Sequence, residues 1–126
     1  MEQLIAHLFG DYILQSHWMA REKSRRSLPA LIHAAMYGLP FLFLTHSPGA
    51  LSVIAGTHFV IDRWQLARYL VWVKNFMAPK SQWRPWNHSR PTGYPSEKPE
   101  WLTRWLLVIA DNTVHLLINY LSIRYL

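Results

Sequence analysis

Three pairs of His and Asp, whose members stand four positions apart, lie in the middle of three apolar stretches of the chain. The pairs are His7 and Asp11, His58 and Asp62, and Asp111 and His115. Four residues make about one helical turn, so both members of a pair project from the same side of a helix. An Asp inside an apolar helix is costly unless a partner compensates its charge. The recurring pair therefore predicts that these helices converge on a metal ion.

The predicted site must bind its metal through nitrogen and oxygen, because the chain contains no Cys. Imidazole and carboxylate ligands suit Zn, Fe or Mn, and we expect zinc, with Mn or Fe as alternatives. The six residues outnumber the four ligands of a structural zinc site. They are enough for two divalent ions, or for one ion surrounded by outer His–Asp contacts.

His33 is the single ionisable residue in the body of another apolar stretch. We expect it to close the other side of the carboxylate layer, as an extra ligand or as a proton shuttle. A divalent ion activates water and polarises phosphoryl or carbonyl oxygens, so the predicted reaction is hydrolysis. The predicted catalytic residues are Asp11, Asp62 and His33, and the sequence leaves open which Asp acts as the base.

The residues that would position this site form four predicted helices, at about 2–19, 28–45, 50–76 and 100–124. Their lengths of roughly 18 to 27 residues match a hydrocarbon core about 30 Å thick. We therefore predict an all-α fold, a four-helix antiparallel transmembrane bundle that forms a single domain over residues 1–126. A proline-rich loop at 77–99 joins the third and fourth helices.

The distribution of charge predicts the orientation in the membrane. The net charge is +6, and Lys and Arg concentrate in the segments 20–27 and 77–99, whereas the turn at 46–49 carries neither. Cytoplasmic loops of membrane proteins carry an excess of Lys and Arg. We therefore expect a bacterial inner (cytoplasmic) membrane protein with the segments 20–27 and 77–99 in the cytoplasm.

The proline-rich loop at 77–99 is basic and also carries aromatic residues, and we expect it to contact the membrane or a substrate. The predicted contact residues are Trp83, Arg84, Trp86 and Arg90 of this loop, together with Arg63, which directly follows Asp62. Interleaved Arg and Trp can bind single-stranded nucleic acid, but they can equally lie on an anionic bilayer. The neighbouring apolar stretches favour the lipid bilayer as partner, with a lipid as substrate, over nucleic acid. A homo-oligomer is left open.

Two other functions are compatible with the sequence. The first is a non-enzymatic membrane protein that moves a metal ion or protons, or holds a structural metal while its loops bind a partner, as a phage accessory protein would. The second is a soluble, basic, nucleic-acid-binding bundle, whose DNA binding would depend on salt. For any one His–Asp pair alone, a hydrogen-bonded core pair is the commoner arrangement.

Three segments carry a family resemblance. Residues 7–15 read HLFGDYILQ, residues 57–64 read THFVIDRW and residues 111–116 read DNTVHL. They resemble the motifs of an uncharacterised family of small phage and bacterial integral membrane proteins. That family is similar to the membrane-bound metal-dependent hydrolases and, more distantly, to zinc-dependent phospholipase C. The resemblance implies a metal-binding membrane fold that acts on a phosphoester.

Overall fold

The structure, a computed structural model, describes residues 1–126 and consists of helices and connecting segments, without a β-strand. The α-helices are α1 Glu2–Leu8, α2 His17–Glu22, α3 Ser27–Gly38, α4 Pro48–Trp64, α5 Ala67–Lys74 and α6 Glu100–Tyr125. A π-helical segment, Phe9–Ile13, continues α1, and a 3-10 helix, Leu39–Phe43, continues α3. The chain divides into two compact units. The first unit is Met1–Trp64 with His115–Leu126, and the second unit is Gln65–Val114.

The prediction of a bundle of four transmembrane helices is wrong. Only α6 is long and apolar enough to cross a bilayer, with 26 residues and a mean hydropathy of 1.5 in its most apolar window. The next longest helix, α4, has 17 residues. At about 1.5 Å per residue it reaches only about 26 Å, short of the roughly 30 Å core of a bilayer. One such helix is weak evidence of membrane association.

The shorter helices result from breaks inside three of the predicted elements. The first breaks at Ser16, whose hydroxyl caps α2 by accepting a hydrogen bond from the Met19 backbone at 3.3 Å. The second predicted helix changes from α-helix to 3-10 helix at Leu39. The next residue, Pro40, has no N–H to donate to the hydrogen bonds of an α-helix. The third stops at Gln65, whose φ of 52° is left-handed. Apolar composition alone therefore overestimates helix length.

The first unit combines a small hydrophobic core of Ala6, Tyr37, Phe41 and Ile54 with a set of buried polar residues, and it exposes many large apolar side chains. Its buried polar residues are His7, Asp11, His33, His58, Asp62, His115, Asn119 and Ser122. In contrast, Ile13 and Phe43 expose 67% and 91% of their surface. Helices that bury several ionisable residues and expose large apolar ones depart from the usual pattern of a water-soluble protein. The buried polar residues therefore suit a charged ligand, and the exposed apolar side chains suit an apolar environment.

The second unit is held together by aromatic and backbone contacts around α5. Tyr69 stacks on Trp86 with ring centroids 4.6 Å apart, and Trp72 donates an indole hydrogen bond to the Arg84 carbonyl at 3.0 Å. Gly93 has a φ of 82°, and an added Cβ there would collide with the Arg68 carbonyl. The proline-rich loop is thus folded onto α5 within this unit.

Gly10 lets α1 and its π-helical continuation approach α3 closely. A Cβ at this position would lie 2.8 Å from Tyr37 Cδ2 and 3.1 Å from both Tyr37 Cα and O. We expect Gly10→Ala to destabilise the protein by about 1–3 kcal/mol, because the α3 backbone would have to move. Thermal or urea unfolding of the purified protein measures this change.

Gly56 provides the matched control, since no atom lies within 4 Å of a Cβ built there. Gly56→Ala should be neutral or stabilising by up to about 1 kcal/mol, because alanine favours the helix. Equal destabilisation by the two substitutions would contradict the close approach assigned to Gly10. Of these two glycines, only Gly10 lies in close contact with another helix.

Candidate metal centre

Asp11, His33, His58 and Asp62 converge in the interior of the first unit, and we call them the four-residue cluster. Asp11 comes from the π-helical segment, His33 from the middle of α3, and His58 and Asp62 from successive turns of α4. All four side chains are buried. π-Helical turns are rare and are frequently found at functional sites.

The polar atoms of the cluster lie within a few ångströms of one another. His33 Nε2 and His58 Nε2 are 2.9 Å apart. Asp11 Oδ1 lies 3.3 Å from His33 Nε2 and 3.2 Å from His58 Nε2. Asp62 Oδ2 lies 3.3 Å and 3.1 Å from the same two nitrogens. Each imidazole therefore faces both carboxylates.

These distances fit the ligand shell of a small divalent ion. In a tetrahedral site with ligand bonds of about 2.0–2.1 Å, neighbouring ligand atoms are about 3.3 Å apart. All the ligand atoms of the cluster lie within 4.8 Å of one another. Asp11 Oδ1 is buried and accepts no well-directed hydrogen bond. The buried Asp and His groups are thus arranged as a candidate metal site of two nitrogens and two oxygens.

His7 and His115 contact the outer oxygens of the two carboxylates. His7 Nε2 lies 3.6 Å from Asp11 Oδ2, and His115 Nε2 lies 3.5 Å from Asp62 Oδ1. The sequence predicted both imidazoles as metal ligands. Neither imidazole belongs to the four-residue cluster, around which they can orient the carboxylates that face the centre, and direct metal binding by either of them stays a prediction.

Tyr37 contacts His7 and was missed by the sequence analysis. Its buried hydroxyl lies 2.8 Å from His7 Nδ1 and accepts a hydrogen bond from Asn119 Nδ2 at 2.6 Å. Its ring stacks on His58, with centroids 3.6 Å apart. The available signal was its position four residues after His33, which places both on one face of α3.

Lys23 is a second residue beside the site that no sequence pattern predicted there. Its ammonium Nζ lies 2.7 Å from Asp62 Oδ2 and 3.3 Å from His33 Nε2. The Lys23 side chain is 22% exposed, so it reaches from the surface of the first unit to the buried cluster. The basic segment 20–27 therefore contributes a cation to the centre.

Burial and the contacts within the cluster shift the pKa values of Asp11, Asp62 and His58. Burial by itself raises the pKa of Asp11, but contacts with His33 and His58 outweigh burial and hold that pKa well below its usual range. For Asp62, burial again raises the pKa, and contacts with His115, His33 and His58 bring it well below its usual range. Burial lowers the pKa of His58, whereas its contacts with Asp11 and Asp62 raise it to about 9. The metal-free centre therefore holds two carboxylates and a protonated His58.

Two further predicted site residues, Asp111 and Arg63, are not part of the four-residue cluster. Asp111 is half-buried on α6, one turn before His115, and belongs to the second unit. Arg63 belongs to the first unit and donates hydrogen bonds to the Ser24 carbonyl at 3.0 Å and to Ser27 Oγ at 3.3 Å.

The Arg and Trp residues of the basic loop make contacts within the second unit. Trp83 donates an indole hydrogen bond to the Ala78 carbonyl at 2.7 Å, and Arg84 pairs with Glu97 at 2.7 Å. The Arg90 carbonyl accepts a hydrogen bond from Arg68 at 3.3 Å. Contact of these residues with a membrane or a substrate stays a prediction.

A family model described as a protein of unknown function, DUF3307, matches residues 1–92 of the chain. The chain belongs to the DUF3307 family. The matched region contains the whole four-residue cluster and Lys23, whereas Asp111 and His115 follow it. No curated protein and no solved structure matches this chain. The resemblance of this DUF3307 member to metal-dependent hydrolases therefore stays a prediction.

Proposed function

We propose that the protein binds one divalent transition metal ion, zinc before Mn or Fe, and uses it to hydrolyse a phosphoester or ester. The four-residue cluster supplies the ligands. The observation that carries the proposal is the set of distances of 2.9–3.3 Å that join two imidazole nitrogens to each other and to two carboxylate oxygens, all from three separate elements. Nitrogen and oxygen donors without sulfur suit these metals.

A bound ion of this kind activates water at neutral pH and polarises a phosphoryl or carbonyl oxygen. In the overall reaction, the oxygen of water forms a bond to phosphorus or to the acyl carbon. The ester bond to the alcohol oxygen breaks, and one proton of the water ends on the departing alcohol. The outer pairs, Asp11 with His7 and Asp62 with His115, are placed to take up that proton and return it.

A second candidate function is favoured by the completeness of the ligand set. Four protein ligands fill a tetrahedral shell, which is typical of structural zinc sites, whereas catalytic sites keep a position for water. On this alternative, the protein holds or transports its metal without turnover. Catalysis requires the shell to expand to five ligands or to release one of the four.

Membrane association is part of the proposal. It is supported by the large apolar side chains that the first unit exposes and by the length and hydropathy of α6. Both basic segments, 20–27 and 77–99, precede α6 in the chain. We therefore place them on the cytoplasmic side of a bacterial inner membrane, in keeping with the excess of Lys and Arg in cytoplasmic loops. A lipid phosphoester is the matching substrate class.

The test of the proposed function uses the detergent-purified, zinc-loaded protein and the chromogenic substrates bis(p-nitrophenyl) phosphate and p-nitrophenyl acetate. We expect Asp11→Ala to lower turnover by about 1000-fold or more, because the ion that activates water is lost. His17→Ala, which alters an exposed residue of the same unit, should keep full activity.

Two results distinguish the hydrolase from a protein that holds or transports its metal without turnover. Turnover by Asp11→Ala at the level of the unsubstituted protein would contradict the hydrolase. Stoichiometric zinc binding without turnover of either substrate would favour the structural or transport function instead.

A further inference from the structure

The ammonium of Lys23 occupies an unusual place beside the four-residue cluster. Asp62 Oδ2, the oxygen nearest to Lys23 Nζ, is also one of the cluster's own ligand atoms. The Arg–carboxylate pairs of the chain all involve a carboxylate that is more exposed than Asp62, as in the pair of Arg104 with Glu100. Lys23 therefore pairs with a buried carboxylate of the centre, whereas the Arg residues pair with carboxylates nearer the surface.

The position of Lys23 is fixed by the packing of its turn. Its backbone N–H donates to the Met19 carbonyl at 2.9 Å, which ties it to the end of α2. Arg63, which directly follows Asp62 in the chain, donates hydrogen bonds to Ser24 and Ser27 on the other side of Lys23. The turn that carries Lys23 is thus fastened to the end of α4 that carries Asp62.

The net charge of the centre rises when a divalent metal binds. With a divalent ion, two carboxylates and neutral imidazoles, the ion and its four ligands carry no net charge. Lys23 then adds one uncompensated positive charge at a largely buried position, which is unfavourable unless an anion pairs with it. A monoanion at this position restores neutrality.

We propose that Lys23 and the metal together bind the anionic phosphoryl group of a phosphodiester. A phosphodiester carries one negative charge at neutral pH, which matches the one positive charge left by Lys23. The exposed fraction of Lys23 gives the phosphoryl group access from the surface. This inference rests on the proposed metal site and adds the substrate class, whether the diester is a lipid headgroup or a soluble molecule.

The test measures zinc affinity and the affinity of the zinc-loaded protein for dimethyl phosphate, a small phosphodiester. In Lys23→Met, zinc affinity should rise about tenfold, because a cation that competes for Asp62 is gone. Dimethyl phosphate affinity should fall at least tenfold, and Lys23→Arg should restore most of it. Arg25→Met removes an exposed charge two residues away and should change neither affinity more than about twofold.

The outcomes distinguish this inference from the proposed function. Failure of the unsubstituted protein to bind zinc overturns the metal site itself. Zinc binding that is normal, with no dimethyl phosphate binding or with equal binding in Lys23→Met, overturns the role of Lys23 alone. Acetate binding as strong as that of dimethyl phosphate overturns the assignment to phosphodiesters. Tighter binding to vesicles of anionic phospholipid than to dimethyl phosphate, lost in Lys23→Met, identifies the lipid source.

Discussion

Replacing either His33 or His58 with alanine is expected to lower the zinc affinity of the purified protein by more than about 100-fold. Loss of an outer contact of a metal ligand typically costs about 10–100-fold, and loss of a ligand itself should cost more. Each of these imidazoles presents a nitrogen to both carboxylates, so either substitution leaves three ligands and a gap. Competition with a chromophoric zinc chelator measures the affinity.

Two other histidines provide graded controls in the same unit. His7→Ala removes an outer contact of Asp11, at 3.6 Å, and should cost only about 10–100-fold. His17→Ala alters an exposed side chain and should leave zinc affinity unchanged. Wild-type affinity in His33→Ala, or a loss in His17→Ala as large as that in His33→Ala, would contradict the assigned ligand set.

The second large effect is the pH dependence of metal affinity. In the metal-free protein the pKa of His58 is raised to about 9. Zinc needs the neutral imidazole, so binding must release the His58 proton at any pH below that value. Zinc affinity should therefore rise about tenfold per pH unit, or about 100-fold between pH 6 and pH 8. Isothermal titration in buffers of different ionisation enthalpy measures both the affinity and the protons released.

The same shifts predict the stability of the metal-free protein. The pKa of His58 is raised from 6.5 to about 9 on folding, so its contribution is complete below about pH 6.5 and is lost as the pH rises towards 9. The pKa values of Asp11 and Asp62 are lowered from 3.8, so their contribution is present above that pH and is lost in acid. Chelator-treated protein should be most stable between about pH 4 and 6.5. Zinc affinity or metal-free stability that is constant from pH 6 to pH 9 would contradict this account.

Most residues of the candidate site could be predicted from the sequence, because a His and an Asp four positions apart lie on the same face of a regular α-helix. His58 and Asp62 share one face of α4 and both reach the centre. His7 and Asp11 stand at the same spacing, but the π-helical segment between them bonds residues five apart instead of four. Asp11 reaches the centre, whereas His7 lies 3.6 Å from the outer oxygen of Asp11.

The length of the helices could be predicted only in part. Pro40 and the Ser16 cap are visible in the sequence as signals that shorten a helix. Gln65 gives no such signal, because a left-handed φ is uncommon for this residue and depends on the packing around it. The long final helix was predicted at 100–124 and is α6, Glu100–Tyr125.

The contact of Lys23 with the cluster could not be predicted from the sequence, because it depends on tertiary structure. In the sequence it is one of several basic residues of the segment 20–27, and that clustering indicated orientation at a membrane. Its approach to Asp62 requires the turn before α3 to pack against the end of α4. No local pattern specifies a contact between residues 23 and 62, whereas the buried position of His33 followed from its apolar surroundings.

X-ray absorption spectroscopy at the zinc edge of the stoichiometrically loaded protein tests the metal centre most directly. The proposed metal site predicts one zinc per chain with four nitrogen or oxygen ligands at about 2.0–2.1 Å, and the outer-shell scattering of two imidazoles. A spectrum of six oxygen ligands without imidazole scattering, or a zinc content far below one per chain, would contradict the convergence of Asp11, His33, His58 and Asp62 on a common ion.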